Sequence, residues 1–569
     1  MSIERIDVCF VHPPSIYDFR TKGIKLGPIS DVVPSTPVFE MYPIGFVSML
    51  AYLIRHGYKA RIANIAVQML SNPKFDAEAY IKGIDASVFA VDLHWLPHVH
   101  GAYHISKMIK HIHPNAKVVL GGFSATYFSE EIMKEWPWVD YVLLGDYQEE
   151  SLLTLTEIVE TSGDLSAVHN LVYRSHTGIV KMNMPERSSE GIKRVFIDYK
   201  ELMRNTIRYH DIKGHIPYYS WIKNPEGFTL IEHGCQFSCG FCGGSKFAYG
   251  GRYGPTAPMF RNPATVALEI ELVQETIGAP VFITGDLSAA GTKYHDTLFN
   301  EVKSRGIDLP LLTEYFIPPN AEYFKKLSKA FPDFSAEISP DSSVESIRYA
   351  NGRGYTNAAL ESSINEAKKA GCKKFDIYFM IGLSGQRKTD VMTDLNYASY
   401  LIRKYNREGM DLDTFIAPLA PFVDPGSLFF EMPDRYGYRL KAKHMMEFYN
   451  LLDKGKSWED HLNYETNTMS KKDIIESTYM AGIKMIEINA SAGKLDENTA
   501  ASLIGGIRDY ISGKPYVSET DMGRHLTYLN KQIEWSRKHR ITLLSASVFA
   551  YKIYDSAFSK LRSIKTRVQ

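Results

Sequence analysis

Cysteine is scarce in this chain, five in 569 residues, and so few in so long a sequence exclude a disulfide framework. An excess of one charge is missing as well: Lys plus Arg and Asp plus Glu number 65 each. Nothing at the level of the whole chain therefore calls for nucleic acid or an anionic membrane. No apolar run approaches the roughly 20 residues of a membrane-spanning helix, and no basic leader followed by an apolar core opens the sequence. Internal repeats and low-complexity stretches are absent. These absences leave a cytoplasmic globular protein as the expectation. Its hydrophobic share of 44% is ordinary, and its length suggests roughly two to four domains rather than one core.

Three of the five cysteines stand together. In the stretch 231–244, Ile-Glu-His-Gly-Cys-Gln-Phe-Ser-Cys-Gly-Phe-Cys-Gly-Gly, Cys235, Cys239 and Cys242 are separated by three residues and then two, and Phe241 precedes the last. On a tight loop this spacing lets three thiolates hold three irons of a [4Fe–4S] cube and leaves the fourth iron without a protein ligand. The alternative is a structural zinc site with His233 as fourth ligand. Zinc sites usually pair their ligands, with a second pair well downstream, and no second pair follows here. Cys9, in a predicted strand, and Cys372, just after a predicted helix, read as small buried hydrophobes. They are too few for a second cluster.

Residues 5–160 alternate short apolar runs with helical patterns, which indicates a parallel sheet covered by helices: a Rossmann-like domain over residues 1–165. In such a sheet a ligand lies over the carboxyl ends of the strands, so the informative residues are 12–15, 92–98, 121–126 and 145–150. Gly121-Gly122 lets backbone approach a flat or bulky ligand, and Ser124 and Thr126 can donate hydrogen bonds to a polar tail. A tight turn is the plainer reading of such a glycine pair. Residues 166–225 read as a connector, with strands near 170–173 and 179–184 and an aromatic, basic stretch at 208–219. Over 226–430 the alternation resumes with longer helices and six strands, the first of which delivers the cysteine loop. This is consistent with a partial (β/α)6 barrel, whose sites gather at the carboxyl ends of the strands. Residues 431–569 read as a helical cap, with helices near 440–452, 471–489, 497–512, 522–538 and 541–561.

The cysteine spacing and its aromatic resemble the signature of the radical S-adenosylmethionine (SAM) superfamily. The resemblance implies that the open iron is chelated by the amino and carboxylate groups of SAM, that an electron from the cluster releases a 5′-deoxyadenosyl radical, and that Phe241 packs near the adenine. Residues 120–126, Leu-Gly-Gly-Phe-Ser-Ala-Thr, followed by 139–150, Val-Asp-Tyr-Val-Leu-Leu-Gly-Asp-Tyr-Gln-Glu-Glu, resemble the cobalamin-binding domain in front of many radical SAM domains. By that resemblance Gly121, Gly122, Ser124, Thr126, Gly145, Asp146 and Glu149 are candidates for cobalamin. The family's usual Gly-Glu-Gly-Glu is here a relaxed Gly-Asp-Tyr-Gln-Glu. The Asp-x-His-x-x-Gly of corrinoid carriers is missing. His94, Trp95 or His98 can still reach the lower face of a corrin, and capping a strand end is the plain alternative for each.

In the barrel half, Thr284-Gly285-Asp286 stands in the place of the family's Gly-Gly-Glu, which holds the SAM ammonium. Glu337 and Ser339 match the fourth-strand motif near the SAM ribose and carboxylate, Arg353 lies in a stretch often placed near SAM, and Gly382 falls on the strand flanking the adenine. Taken alone, Gly382 is a turn and Glu337 a solvated strand end.

The combined resemblance is to cobalamin-dependent radical SAM enzymes of the C-methyltransferase type, and it covers roughly the first three quarters of the chain. It implies a [4Fe–4S] cluster, SAM and cobalamin as cofactors. One SAM methylates cob(I)alamin, another yields the radical that removes a hydrogen atom, and the carbon radical takes the methyl group. It also implies an external electron donor of ferredoxin or flavodoxin type and a protein, peptide or small-molecule substrate. Within the family, the length and the block from His210 through the cysteine loop resemble archaeal members such as the glutamine C-methyltransferase of methyl-coenzyme M reductase. A cobalamin radical SAM enzyme that oxidises or cyclises without methylating, and a corrinoid or metal carrier without catalysis, are the other readings.

Overall fold

The computed structural model describes residues 4–22, 38–184, 190–253, 257–419 and 422–512; the helices expected at 522–538 and 541–561 lie outside them. Strands β1 (Ile6–His12), β2 (Ala60–Asn64), β3 (Ala86–Asp92), β4 (Lys117–Gly121), β5 (Tyr141–Leu143), β6 (Leu171–Arg174) and β7 (Val180–Met182) form one sheet in the order β2-β1-β3-β4-β5-β6-β7. The first five run parallel, and β6 and β7 add an antiparallel edge. The sheet therefore extends past residue 165. Val8, Cys9, Phe10 and Val11 are all fully buried, the mark of a strand covered on both faces. Strand order reverses between β1 and β3, and at such a switch point the crevice opens over the carboxyl ends.

Strands β8 (Gly227–Leu230) and β9 (Glu232–His233) lead into the cysteine loop, and β9 pairs antiparallel with β10 (Met259–Phe260). Strands β11 (Val281–Thr284), β12 (Leu311–Tyr315), β13 (Phe334–Asp341), β14 (Lys374–Ile381) and β15 (Asp411–Pro418) follow β8 in chain order to give a six-stranded parallel sheet. Local sequence starts its helices. In the helix Pro263–Thr276 the Asn262 side chain accepts the Ala264 N–H and proline takes the first position, where no donor is missed. A buried charge pair, Arg261 with Glu269, ties this sheet to the segment before it. Glu269 also accepts the Ile197 N–H at 2.7 Å and the Thr229 hydroxyl at 2.5 Å, while Arg261 donates to the Val195 carbonyl at 2.9 Å.

The cap contains more than helices. Strands β16 (Tyr438–Leu440) and β17 (Tyr464–Thr466) pair antiparallel among the helices Met445–Lys454, Lys471–Ser491 and Glu497–Ile511. The cap touches both sheets. Lys494 bonds Asp411 and Asp413 of β15, whereas Asp453 meets Lys22 at 2.7 Å and His100 at 3.2 Å on the first sheet's side. No helix among the described residues is long and apolar enough to cross a membrane.

His98, His100, His215 and His461 are each at least nine-tenths buried. Burial holds their pKa values down, to about 4, 3, 4 and 4. Because an unfolded histidine titrates near 6.5, the unfolded chain binds more protons than the native one below that pH. The contribution of these histidines is then complete above about pH 6.5 and is lost as pH falls toward 4, by roughly 1.4 kcal/mol per pH unit for each. Because raised carboxylates titrate with the opposite sign over the same range, the histidine contribution is read as a difference: H98Q should lose less urea stability than wild type between pH 7 and 4.5, and an unchanged pH dependence would contradict this account.

Candidate active site

The cysteine loop is clamped from two sides. Gly240 donates to the Asn351 carbonyl at 3.2 Å and accepts the Phe429 N–H at 2.9 Å, and Gly243 donates to Asp424 at 3.0 Å. Gly352, with φ of 103°, lies so close that a side chain there would meet the Cys239 Cα at 2.8 Å and the Ser238 carbonyl at 3.0 Å. Phe241 is partly buried and faces Phe429 at 6.4 Å. Burial raises all three thiols, Cys235 to about 11, with Cys239 and Cys242 also pushed up. Such sulfurs carry charge only with a compensating cation, and metal binding supplies one by displacing the proton.

A zinc ion brings its ligands to one point about 2.3 Å from each sulfur. Among the described residues, no group of three or more His, Cys, Asp or Glu side chains is arranged to hold a single metal ion. His233, the fourth ligand of the zinc reading, has its Nδ1 facing Asp146 at 3.2 Å and its ring 4.8 Å from Tyr147, while its Nε2 is buried without a hydrogen-bond partner. Three thiols that each bind a different iron of a cube need not share a point, and three cysteines on one short loop, each thiol raised by burial, suit that group.

The strand ends of the first sheet meet this loop directly. Asp146, after β5, accepts the Tyr249 hydroxyl at 2.5 Å and faces His233 through the same oxygen. A side chain at Gly145 would run into the Tyr253 carbonyl at 2.7 Å. Phe123, after β4, stacks on Tyr253 at 4.4 Å and on His94 at 4.6 Å. A side chain at Gly244 would lie 3.8 Å from the Cys242 sulfur and 4.0 Å from the Phe123 ring. The spacing of Tyr249 and Tyr253 behind the cysteines gives no hint of this junction.

Other predicted residues serve the loops themselves. Ser124 donates to the His94 carbonyl at 3.0 Å, and Thr126 donates to the Gly122 carbonyl and accepts the Gly145 N–H, both at 2.8 Å. The room left by Gly122 is filled by the His94 backbone, 2.4 Å from where a Cβ would stand, whereas Gly121 faces open space. Glu149, raised by burial, accepts the Ser48 hydroxyl at 2.7 Å inside the sheet layer. At the switch point, His12 faces Asp92 at 2.9 Å and the Phe39 carbonyl at 3.0 Å, and His98 shares that carbonyl at 2.9 Å.

In the second sheet, Thr284 donates to the Thr229 carbonyl at 3.1 Å. The Asp286 carboxylate is taken up by Ser288, Ala289, Phe316 and Ile317. Glu337 pairs in register with Glu314 and accepts the Tyr378 hydroxyl at 3.4 Å. Ser339, two residues on, is partly exposed. Arg353 meets Asp341 at 3.3 Å, and its own raised pKa reflects the nearby sulfurs of Cys239 and Cys242 together with Asp341 against the cost of burial. Gly382 gives its N–H to Gln386 at 2.8 Å and its carbonyl to the Tyr438 hydroxyl at 2.8 Å, and Tyr464 fills the place of a Cβ. Glu232 and Glu314, beside Gly285, were not singled out by the sequence.

Two substitutions test this geometry. D146A removes an acceptor shared by two donors and should lower the stability of the metal-free protein by roughly 2 kcal/mol, with hydrogen exchange accelerated at 245–253; unchanged protection there would refute the junction. G352A should displace the Cys239 backbone and sharply reduce the iron retained after anaerobic reconstitution, whereas full loading would show that the contact is dispensable.

Comparison with known proteins finds relatives for both halves of the chain. A B12 binding domain model matches residues 31–153 and a radical SAM superfamily model matches residues 230–398. An uncharacterized methyltransferase of Pyrococcus horikoshii is 23% identical over 370 residues, 63% of this chain and 73% of that protein. The anaerobic magnesium-protoporphyrin IX monomethyl ester cyclase of Rubrivivax gelatinosus is 26% identical over 193 residues, 33% of this chain. The match spans only about a third of that cyclase, 32%. The radical SAM methyltransferase TsrM of Kitasatospora setae, solved with cobalamin and a [4Fe–4S] cluster, shares the fold with a TM-score of 0.55 at 14% identity, over 77% of this chain and 81% of TsrM. The cobalamin-dependent radical enzyme OxsB, solved with aqua-cobalamin and SAM, gives 0.56 at 12% identity, over 90% of this chain and 71% of OxsB. With a B12 binding domain ahead of a radical SAM domain, the chain belongs to the cobalamin-dependent radical SAM enzymes, whose cofactors are a [4Fe–4S] cluster, SAM and cobalamin.

Proposed function

We propose that this enzyme is a C-methyltransferase that acts on an unactivated carbon, with Cys235, Cys239 and Cys242 as the cluster ligands. The observation that carries the reading is the contact of the two sets of strand ends, in which Phe123 of the first sheet reaches the Cys242 side of the cysteine loop. Cofactors seated on the two sheets would then share one substrate. When bound, the cluster with SAM supplies hydrogen-atom abstraction and the corrinoid supplies a transferable methyl group, while the protein fixes distances and excludes water.

In this reading the strand ends over residues 1–165 seat the corrinoid, with Gly121 offering open backbone. Residues 226–430 seat the cluster and SAM, and the region after 431 closes the substrate cavity. Arg353, buried between Asp341 and the cysteines, is placed to meet a carboxylate next to the cluster. The electron donor is an external ferredoxin- or flavodoxin-like protein, and the substrate is a peptide or a small molecule. The cyclase relatives favour a second reading, a non-methylating oxidation or ring closure.

Anaerobically reconstituted protein given reductant, trideuteromethyl-SAM and cell extract should produce a trideuteromethylated compound together with 5′-deoxyadenosine and S-adenosylhomocysteine, detected by mass spectrometry in separated protein and small-molecule fractions. 5′-Deoxyadenosine without transfer of label would select the non-methylating reading. C239S should form neither the labelled compound nor 5′-deoxyadenosine, and 5′-deoxyadenosine from C239S would contradict the assignment of the cluster ligands.

A further inference from the structure

The family's pattern puts the acid for the SAM amino group at the end of the motif occupied here by Thr284-Gly285-Asp286. Asp286 is only 1% exposed, and its lone pairs are spent. Oδ1 accepts the Ser288 N–H at 2.9 Å, the Ser288 hydroxyl at 2.6 Å and the Ala289 N–H at 3.0 Å. Oδ2 accepts the N–H groups of Phe316 and Ile317 at 2.8 and 3.2 Å. A carboxylate offers about four acceptor sites, and five donors already fill these. Asp286 shapes the turn and has nothing left for a ligand.

Two other carboxylates flank Gly285 instead. Glu232 stands on β9, three residues before Cys235, with Oε1 at 3.2 Å from where a Gly285 Cβ would be. It accepts the Asp286 N–H, while its Oε2 is closed off from solvent without a hydrogen-bond partner. Glu314 comes from β12 and accepts the Gly285 N–H at 2.6 Å. Neither forms an ion pair among the described residues; the cation near Glu314, Arg353, is engaged with Asp341. A buried carboxylate oxygen left without a donor is costly, and Glu232 Oε2 is such an oxygen three residues ahead of the first cysteine, with Glu314 on the other side of Gly285. Burial, reinforced by neighbouring carboxylates, raises Glu232 to about 8 and Glu314 to about 6, as expected of acids whose counter-charge is absent.

We infer that Glu232, backed by Glu314, receives the amino group of SAM in this enzyme, in place of the acid at the motif position. The inference rests on the cysteine loop being the cluster site. It makes the strand that delivers the cysteines also the strand that selects an α-amino acid end, and it frees Asp286 for its turn.

The test uses reconstituted protein without reductant, so that binding is read in the absence of turnover. Equilibrium dialysis compares SAM with its 2-oxo analogue, in which a carbonyl replaces the amino group. Wild type should prefer SAM, and E232Q should bind SAM about tenfold more weakly, roughly 1.4 kcal/mol, while its affinity for the 2-oxo analogue stays unchanged. E314Q should show the same selective loss to a smaller degree, and iron content with the cluster's visible absorption verifies that each variant is loaded. If E232Q does not load, E314Q carries the comparison, since the open iron alone would make wild type prefer SAM. Equal binding of both compounds by wild type, or a parallel loss of both in the variants, would overturn the inference. A loaded wild type that bound neither compound would instead refute the SAM site itself.

Discussion

Asp146 is the point on which the two halves of this molecule depend. Its carboxylate ends the last parallel strand of the first sheet and takes a phenol from one side of the cysteine loop and an imidazole from the other. Burial would normally raise such an acid, yet its pKa is lowered because His233 and Tyr249 donate to the charged form. One residue earlier, Gly145 allows the Tyr253 carbonyl to sit where no side chain fits. The loops at the carboxyl ends of both sheets therefore meet, and in the proposed reading what each sheet binds shares one space.

The charges within that space follow a single logic. Three thiols and two glutamates, all raised by burial, lie around the start of the second sheet. The ionised forms are disfavoured as long as no cation neutralises them, since removing charge from water without a partner is costly. In the proposed reading, iron for the sulfurs and an amino group for the carboxylates supply the missing positive charge. Deeper in the same sheet the protein provides its own cations, with Lys374 meeting Asp376 and Asp413, and Lys494 closing on Asp411 and Asp413. The contrast separates a structural ion network from a site that waits for its ligand.

Much of this was legible in the sequence where the signal is local. Strand and helix alternation gave both sheets because a doubly covered strand must be apolar on each face, as at Val8–Val11. The cysteine spacing pointed to a cube because three ligands on one loop need no distant partner. What escaped depends on pairing across the chain. The short strands β16 and β17 carry no periodicity of their own, and β6 and β7 join the first sheet only through partners supplied by β5. Gly122 read as a surface for a ligand, yet the His94 backbone fills its space. Asp286 carried the right chemistry at the motif position, but only the tertiary structure shows its oxygens already taken. The composition of β9 gave no reason to choose Glu232 over any other acid.

The central claim is that cobalamin and the cluster sit across one junction. Electron paramagnetic resonance of protein loaded with cob(II)alamin and a reduced cluster tests it without knowledge of the substrate. The account predicts that reducing the cluster broadens the cob(II)alamin signal and speeds its relaxation through magnetic coupling, an effect missing in C239S, which carries no cluster. A cob(II)alamin signal indifferent to the state of the cluster in the wild-type protein would place the two centres apart and contradict the account.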